Sequence, residues 1–460
     1  MMTPLTSRRD LLKATSCGFG YLALAGLANQ AAAVDGYQSP LAPRPTHFGA
    51  RAKRVIFMFM QGGPTHLDTF DYKPELAAND GKTVSSALLG GKREVRLLGP
   101  QYDFSPQGSS GLMMSSLFPN LAKHADDLCL INGMFTDSPA HPQASVMLQT
   151  GSTNFVRPSL GSWVIYGLGT SNQDLPGFVT INPPGGAGGA QNYGSAFLPA
   201  AYQGTRLATG GDAIQNIRNK MLGKGAQRHQ LDLVQSLNRG LLDQVGQHNE
   251  LEGVIESYEL AFRMQSAVPA VIDLDQEAEG VKERYGIGEK ATDNFGKQCL
   301  MARRLAEKGV RFIQISTGGW DQHKGIHTRL KTNCQGIDQP IAGLMSDLKE
   351  RGMLDDTLLV WGGEFGRAPR EQAPGQDGRP HNNRGYTMWM AGGGVKGGQR
   401  YGATDPLGGV AVQDKVHIHD LHATILHLLG MNHEQLTYRY AGRDFRLTDV
   451  HGDVVKGILA

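Results

Sequence analysis

Short apolar runs of strand-forming residues recur along this chain and alternate with segments of helical periodicity. The apolar runs cover 55–60, 128–131, 178–181, 310–315, 357–361 and 386–390. The clearest helical patterns cover 231–264 and 294–308. A repeated order of strand, glycine-containing turn and helix is typical of a mostly parallel sheet covered on both faces. The sequence therefore predicts an α/β fold, a three-layer sandwich with a largely parallel central sheet.

The first residues have the features of an export signal. The stretch 7–13 reads Ser-Arg-Arg-Asp-Leu-Leu-Lys and precedes an apolar, glycine-rich run and three alanines at 31–33. This order favours a twin-arginine signal over 1–33 rather than an ordinary N-terminal helix. We therefore predict one domain over 34–460, located in the periplasm or cell envelope. Because this route exports folded proteins, often with a cofactor loaded, it also favours a metalloprotein.

Composition excludes several classes of function. The net charge of +2 favours no particular partner. The sequence has no basic stripe interleaved with aromatic residues, so nucleic-acid binding is not predicted. Outside the signal, no apolar run is long enough to span a bilayer. Cys129, Cys299 and Cys334 lack metal-ligand spacing, which excludes a cysteine metal site. Three cysteines can form one disulfide but not a disulfide scaffold.

The stretch 360–367 places a carboxylate and a guanidinium just past a predicted strand end, where open α/β sheets carry their chemistry. We predict that Glu364 is a metal ligand and that Arg367 binds an oxyanion with two parallel hydrogen bonds. The alternative is a surface ion pair beside a turn. Asp321 and His323 follow another predicted strand, and their spacing allows both to reach one ion, with His327 a further candidate.

Two other loops contribute candidates. Asp68 follows the run 55–60 and is a candidate metal or substrate ligand, with His66 or Asp71 beside it; the alternative is a turn or helix-cap residue. His381 lies in a loop rich in hydrogen-bond donors, which favours a metal or an anionic substrate. Carboxylate with imidazole suits zinc, manganese or iron better than calcium.

The segment 420–430 is predicted to be an amphipathic helix ended by a glycine, and histidines occur in it and just before it. Helical and strand spacings place His417, His419, His422 and His427 on different faces. We therefore interpret them as structural rather than as a metal cluster.

The export signal together with the motifs at 62–74, 258–265, 319–323, 363–369 and 391–398 resembles the exported bacterial family catalogued as domain of unknown function 1501. That family is similar to the alkaline phosphatase and sulfatase superfamily. The resemblance implies an alkaline phosphatase-like fold, a metal site at strand ends and hydrolysis of a phosphate or sulfate ester. The metal ligands that the resemblance implies are Asp68, Asp321, His323, Glu364 and His381.

The chain departs from the superfamily at the nucleophile. The segment 141–151 keeps the Thr-Gly ending of the sulfatase motif, but the nucleophile position is His141, and no formylglycine precursor cysteine is present. His141 can attack, act as a general base or bind metal. Phe365 replaces an expected histidine ligand. The resemblance then implies one divalent ion (zinc, manganese, iron or calcium), with Arg367 holding the anion.

Two functions follow from these observations. The first is an exported metal-dependent hydrolase acting on an anionic small-molecule or saccharide ester. The alternative is a noncatalytic envelope binding or assembly protein that retains the fold.

Overall fold

The computed structural model describes residues 39–85, 94–210, 221–246 and 248–460, with positions 213, 214, 217 and 219 between the second and third ranges. The predicted export signal lies outside the described residues. Within them, no helix is long and apolar enough to cross a membrane. Cys129, Cys299 and Cys334 are buried free thiols.

A nine-stranded sheet forms the centre of the protein. Its strands are β1 Arg54–Met60, β2 Leu128–Phe135, β3 Phe178–Ile181, β4 Thr205–Leu207, β5 Phe312–Thr317, β6 Thr357–Gly362, β7 Tyr386–Ala391, β8 Gln399–Tyr401 and β9 Val416–His417. The order is β8-β2-β7-β6-β1-β5-β3-β4, with β9 also paired to β2. Strand β7 is antiparallel to both neighbours, and the other pairings described in this sheet are parallel. The predicted α/β fold with a largely parallel central sheet is confirmed.

Helices flank this sheet and connect its strands. They are α1 Pro74–Ala78, α2 His141–Thr150, α3 Leu160–Leu168, α4 Lys224–Val245, α5 Asn249–Ile272, α6 Glu279–Arg284, α7 Asp293–Glu307, α8 Ile326–Glu350 and α9 Ile418–Leu428. Small two-stranded ribbons lie outside the sheet: Thr83–Ser85 with Glu94–Arg96, Phe104–Gln107 with Leu112–Ser115, Gly366–Arg367 with His381–Asn382, Ala403–Thr404 with Ala411–Gln413, and Tyr438–Tyr440 with Arg443–Phe445.

Strands β1 and β6 show why the apolar runs form the centre of the sheet. All their residues are buried except Arg54, which is partly exposed, as expected of strands covered on both faces. On one face, the rings of Trp361 and Trp389 stack with centroids 6.0 Å apart, and Trp320 meets Trp361 edge-on. All three rings are fully buried.

The site is positioned by the carboxyl ends of β1, β5 and β6, which meet at one edge because the strands are parallel. Gly62, just past β1, allows its own loop and the loop that carries Asp321 to approach each other closely. It has φ +118°, and a Cβ atom at this position would lie 2.5 Å from the backbone nitrogen of Asp321. A side chain at position 62 would therefore push away the loop that carries Asp321.

Candidate metal centre

Three imidazoles converge on one carboxylate oxygen at this edge. Oδ1 of Asp321 lies 3.0 Å from Nε2 of His323, 3.2 Å from Nε2 of His381 and 3.3 Å from Nε2 of His141. The residues come from the loop after β5, from the ribbon at His381–Asn382 and from the start of α2. His141, Asp321 and His381 each offer one ligand atom within 4.8 Å of the other two.

The second nitrogen of each imidazole is held by an oxygen acceptor. Nδ1 of His141 lies 2.5 Å from Oε1 of Glu364, Nδ1 of His381 lies 2.7 Å from the carbonyl oxygen of Pro139, and Nδ1 of His323 lies 2.9 Å from Oε1 of Gln372. Because these oxygens accept, each Nδ1 carries the proton. In the neutral form, each Nε2 therefore keeps a free lone pair within 3.3 Å of Asp321 Oδ1.

Helix α2 presents His141 at its first residue. Ala140 caps the helix in extended geometry, and Pro142 fits the first turn, where its missing N–H would have no partner within the helix. The ring of Phe365 lies 4.7 Å from the rings of both His141 and His381. The residue that replaces an expected histidine ligand thus supports two imidazoles of the cluster.

Glu364 lies behind His141 and is fully buried. Both of its carboxylate oxygens also accept the backbone N–H of Gly62, at 3.0 and 3.1 Å. Burial by itself would lower the pKa of His141, but the hydrogen bond and charge of Glu364, with the charge of Asp321, raise it. The structure thus brings Glu364 to the cluster as the partner of His141 Nδ1, whereas the sequence predicted a direct ligand.

Arg367 is also fully buried, and its guanidinium contacts Asp321 Oδ1 at 2.6 Å. Its remaining contacts are backbone carbonyl oxygens, those of Gly63 at 2.9 Å, Arg379 at 3.2 Å, Trp320 at 3.3 Å and Gly62. Burial opposes ionisation of Asp321, yet Arg367 holds the pKa of Asp321 well below its usual range. Arg367 therefore fixes a charged Asp321, and few of its donors remain for the oxyanion predicted from the sequence.

Asp68 does not join the cluster. Its buried carboxylate pairs with Arg379 through two hydrogen bonds of 2.8 and 3.0 Å and also accepts from Thr65 Oγ1 and the backbone N–H of Gln101. Arg379 donates further to the carbonyl oxygens of Leu98 and Gly99. In place of a metal, Asp68 has a complete set of protein partners in this structure.

The other candidates near Asp68 and Asp321 also have local roles. His66 donates to the carbonyl oxygen of Gly408 at 2.9 Å. Asp71 accepts from Thr404 Oγ1 at 2.6 Å and lies 3.2 Å from Lys73 Nζ. His327 stacks on Tyr102 with ring centroids 5.1 Å apart. None of the three is among the residues that converge on Asp321.

The histidines of α9 secure the helix that carries His141. His422 donates to the carbonyl oxygen of Leu148 at 2.8 Å, and His419 donates to that of Gly151 at 2.9 Å. Both acceptors lie at the end of α2, while His417 caps α9 itself. The interpretation of these residues as structural agrees with these contacts.

The donor set fits a transition metal ion. Three imidazole nitrogens and one carboxylate oxygen suit zinc, manganese or iron, whereas calcium requires six or more oxygen ligands. Pro139 and Gln372 fix two of these imidazoles and were absent from the sequence prediction. Neither has a sequence signal, because one acts through its backbone carbonyl and the other is an ordinary loop amide.

The fold and the site define an α/β protein with three imidazoles and a carboxylate gathered at the carboxyl edge of a mostly parallel sheet. The chain belongs to the family described as Protein of unknown function (DUF1501), which matches residues 52–459. The family resemblance predicted from the motifs is confirmed. No curated protein matches the chain significantly.

Several solved structures are similar over most of the chain. The PsFucS1 sulfatase from Pseudoalteromonas sp. has 12% identity and a TM-score of 0.39, covering 89% of this chain and 72% of that one. The lipoteichoic acid synthase LtaP from Listeria monocytogenes has 11% identity and a TM-score of 0.37, covering 90% and 79%. Alkaline phosphatase from the Antarctic bacterium TAB5 has 12% identity and a TM-score of 0.35, covering 83% and 99%. At these identities and scores, no activity is transferred from them.

Proposed function

We propose that this chain is an exported, metal-dependent hydrolase of phosphate or sulfate esters, with its metal held by His141, His323, His381 and Asp321. The single observation that supports it is the convergence of three Nε2 atoms on Asp321 while every Nδ1 is held by an acceptor. This arrangement is typical of histidines that ligate metal.

The contact between His323 and His381 supports the need for a cation. Their Nε2 atoms lie 3.0 Å apart. Since both Nδ1 atoms already carry protons, two neutral rings would place two lone pairs against each other. A cation between these nitrogens and Asp321 removes that repulsion. Burial and the charge of Arg367 lower the pKa of His381, which favours its neutral, metal-binding form.

A bound zinc, manganese or iron ion would polarise an ester oxygen and lower the pKa of a bound water. The residues of the chain prepare the site for this chemistry. Glu364 retains the proton on His141 Nδ1, and Arg367 keeps Asp321 charged and in place. The side chains of Asp321 and His323 are 45% and 36% exposed, so an ester can reach the cluster from solvent. The proposed substrate is an anionic small molecule or saccharide ester.

The noncatalytic alternative rests on the number of ligands. Three imidazoles and Asp321 would fill all four positions of a tetrahedral zinc ion, as in structural sites, whereas a catalytic ion keeps a position open. A five- or six-coordinate ion at the same residues leaves room for water. The alternative is therefore a binding or assembly protein with a closed metal site.

The test measures bound metal by inductively coupled plasma mass spectrometry and hydrolysis of 4-nitrophenyl phosphate and 4-nitrophenyl sulfate. The variants are Asp321→Asn and, as a matched control, Asp444→Asn, whose carboxylate is an exposed partner of Arg439. We expect about one ion per chain and hydrolysis of one ester in the wild type and the control, and loss of both in Asp321→Asn. Bound metal without hydrolysis of either ester would favour the alternative. A metal-free wild type would overturn the hydrolase and the closed metal site, and would leave only a noncatalytic binding protein without a metal.

A further inference from the structure

Helix α4 displays aliphatic residues to solvent and buries a polar one. Leu233, Leu237, Leu241 and Val245 are 63%, 68%, 48% and 54% exposed. Gln235 is the one buried residue of this helix, all of which is described. This is the reverse of the usual amphipathic arrangement, in which the aliphatic stripe faces the core. We call Leu233, Leu237, Leu241 and Val245 the α4 ridge.

Polar contacts hold α4 firmly to α5 in this orientation. Arg228 donates to both carboxylate oxygens of Glu259, at 2.8 and 2.9 Å. Gln235 donates to the carbonyl oxygen of Ile255 at 2.7 Å and to Glu259 at 3.2 Å. Because a two-pronged guanidinium–carboxylate pair fixes direction as well as distance, α4 cannot easily rotate its ridge inward. Glu259 belongs to the motif 258–265.

The charges of α4 lie away from the ridge. At 100° per residue, the ridge and Val234 span an arc of about 120°. The other members of this arc are Ala226, Gln227, Gln230 and Gln244. The charged residues occupy a separate arc: Lys224, Arg228, Asp232, Arg239 and Asp243. The ridge is therefore an uncharged surface that meets a second uncharged surface without repulsion.

The spacing of the ridge makes it self-complementary. Its four residues repeat every four positions, so it has the same form when read from either end. When two such rows pack antiparallel across a twofold axis, Leu237 lies against the partner's Leu241, and Leu233 lies against the partner's Val245. A membrane surface is a less suitable partner. Helices that lie on membranes carry many lysines and arginines on their polar face, whereas the polar face of α4 carries both positive and negative charges.

From this geometry we propose that the occupant of the α4 ridge is a second copy of the chain, and that the protein forms a twofold dimer through antiparallel α4 helices. The interface is separate from the proposed metal site and does not depend on it.

The test measures the oligomeric state of the full exported chain by sedimentation equilibrium. The variants are Leu237→Lys and the control Ser236→Lys, which adds the same charge to the exposed neighbouring face of α4. We expect Leu237→Lys to raise the dimer dissociation constant at least about tenfold, because the ammonium would be buried without a partner. Ser236→Lys should leave the constant unchanged. Circular dichroism should be unaltered in both variants, since position 237 is exposed.

Cross-linking checks the register without a charged variant. Leu237→Cys and Leu241→Cys are made singly in a Cys17→Ser background, where the described native cysteines are buried. A mixture of the two variants should form more disulfide-linked dimer than either alone. The proposal is overturned by a monomer at all concentrations up to about 100 µM, by a dimer that Leu237→Lys leaves intact, or by a monomer that binds phosphatidylglycerol vesicles through the ridge.

Discussion

Glu364 and His141 are 223 residues apart in sequence, yet Oε1 of Glu364 lies 2.5 Å from Nδ1 of His141. The same carboxylate accepts the backbone N–H of Gly62. One buried acid thus joins the end of β1, the segment after β6 and the start of α2. Because it fixes the proton on Nδ1, it leaves Nε2 of His141, 3.3 Å from Asp321 Oδ1, unprotonated in the neutral ring.

Replacing Glu364 with glutamine should weaken metal binding while the protein stays folded. The amide removes the negative charge that supports His141 and places an NH₂ group or an altered acceptor against Gly62. We expect the metal affinity to fall about 10- to 100-fold, as is typical when the partner of a histidine ligand is lost. A chelator-competition titration measures this, with the exposed Glu350→Gln as control. Equal affinities for Glu364→Gln and the control would show that Glu364 does not support the site.

Asp68→Asn should reduce stability and leave the bound metal unchanged. Asp68 pairs with buried Arg379 and was a predicted ligand, so this variant separates the two roles. Removing one member of a buried ion pair costs about 3–5 kcal/mol, because the other charge is left unpaired. Urea unfolding measures the stability, and metal analysis of the folded protein measures the occupancy. Loss of the ion from a folded Asp68→Asn protein would restore Asp68 as a ligand.

Stability should fall in acid because of His422. Burial lowers the pKa of His422 to about 3 in the folded protein, whereas a histidine in the unfolded chain has its usual pKa of 6.5. Between these values the unfolded chain binds a proton that the native state excludes, so stability decreases as the pH falls. His422→Gln keeps a donor for Leu148 and removes this titration.

The free energy of unfolding of wild type should therefore lose about 1.4 kcal/mol more per pH unit than that of His422→Gln between pH 6.5 and 3. Above pH 6.5 the two slopes should agree. The exposed His229→Gln serves as control and should follow wild type. Parallel slopes for wild type and His422→Gln would mean that His422 is not buried as a neutral residue.

Gly62→Ala should disturb the site through the backbone alone. A Cβ atom there would lie 2.5 Å from the nitrogen of Asp321, and its positive φ disfavours a side chain. We expect at least about tenfold weaker metal binding, since Asp321 must move. Gly185→Ala is a matched control, because no atom lies within 4 Å of its added Cβ. Calorimetric titration with zinc compares the two, and equal affinities would contradict this role of Gly62.

The sequence predicted the sheet and most of the cluster because both depend on local pattern. The apolar runs mark the parallel strands, and parallel strands bring their carboxyl ends together, which gathers Asp321, His323, Glu364 and His381. Which carboxylate faces which partner depends on long-range pairing. Asp68 and Glu364 both follow buried strands, but only the fold shows that Arg379 neutralises Asp68 while Glu364 supports His141.

Helix α4 shows a different limit of prediction from the sequence. Its leucines have the spacing of a buried face, and the periodicity of the sequence is the same whether the covering surface belongs to the same chain or to another. The position of Gln235 and the pairing of Arg228 with Glu259 decide the orientation. Neither contact has a signal in a single sequence.

The most direct measurement is an anomalous difference map from crystals of protein purified without chelator, recorded at the absorption edge of the metal found by elemental analysis. We expect one peak about 2.0–2.2 Å from Nε2 of His141, His323 and His381 and from a carboxylate oxygen of Asp321. The absence of a peak there, or a peak elsewhere in the protein, would contradict the assignment of these four residues as the metal site.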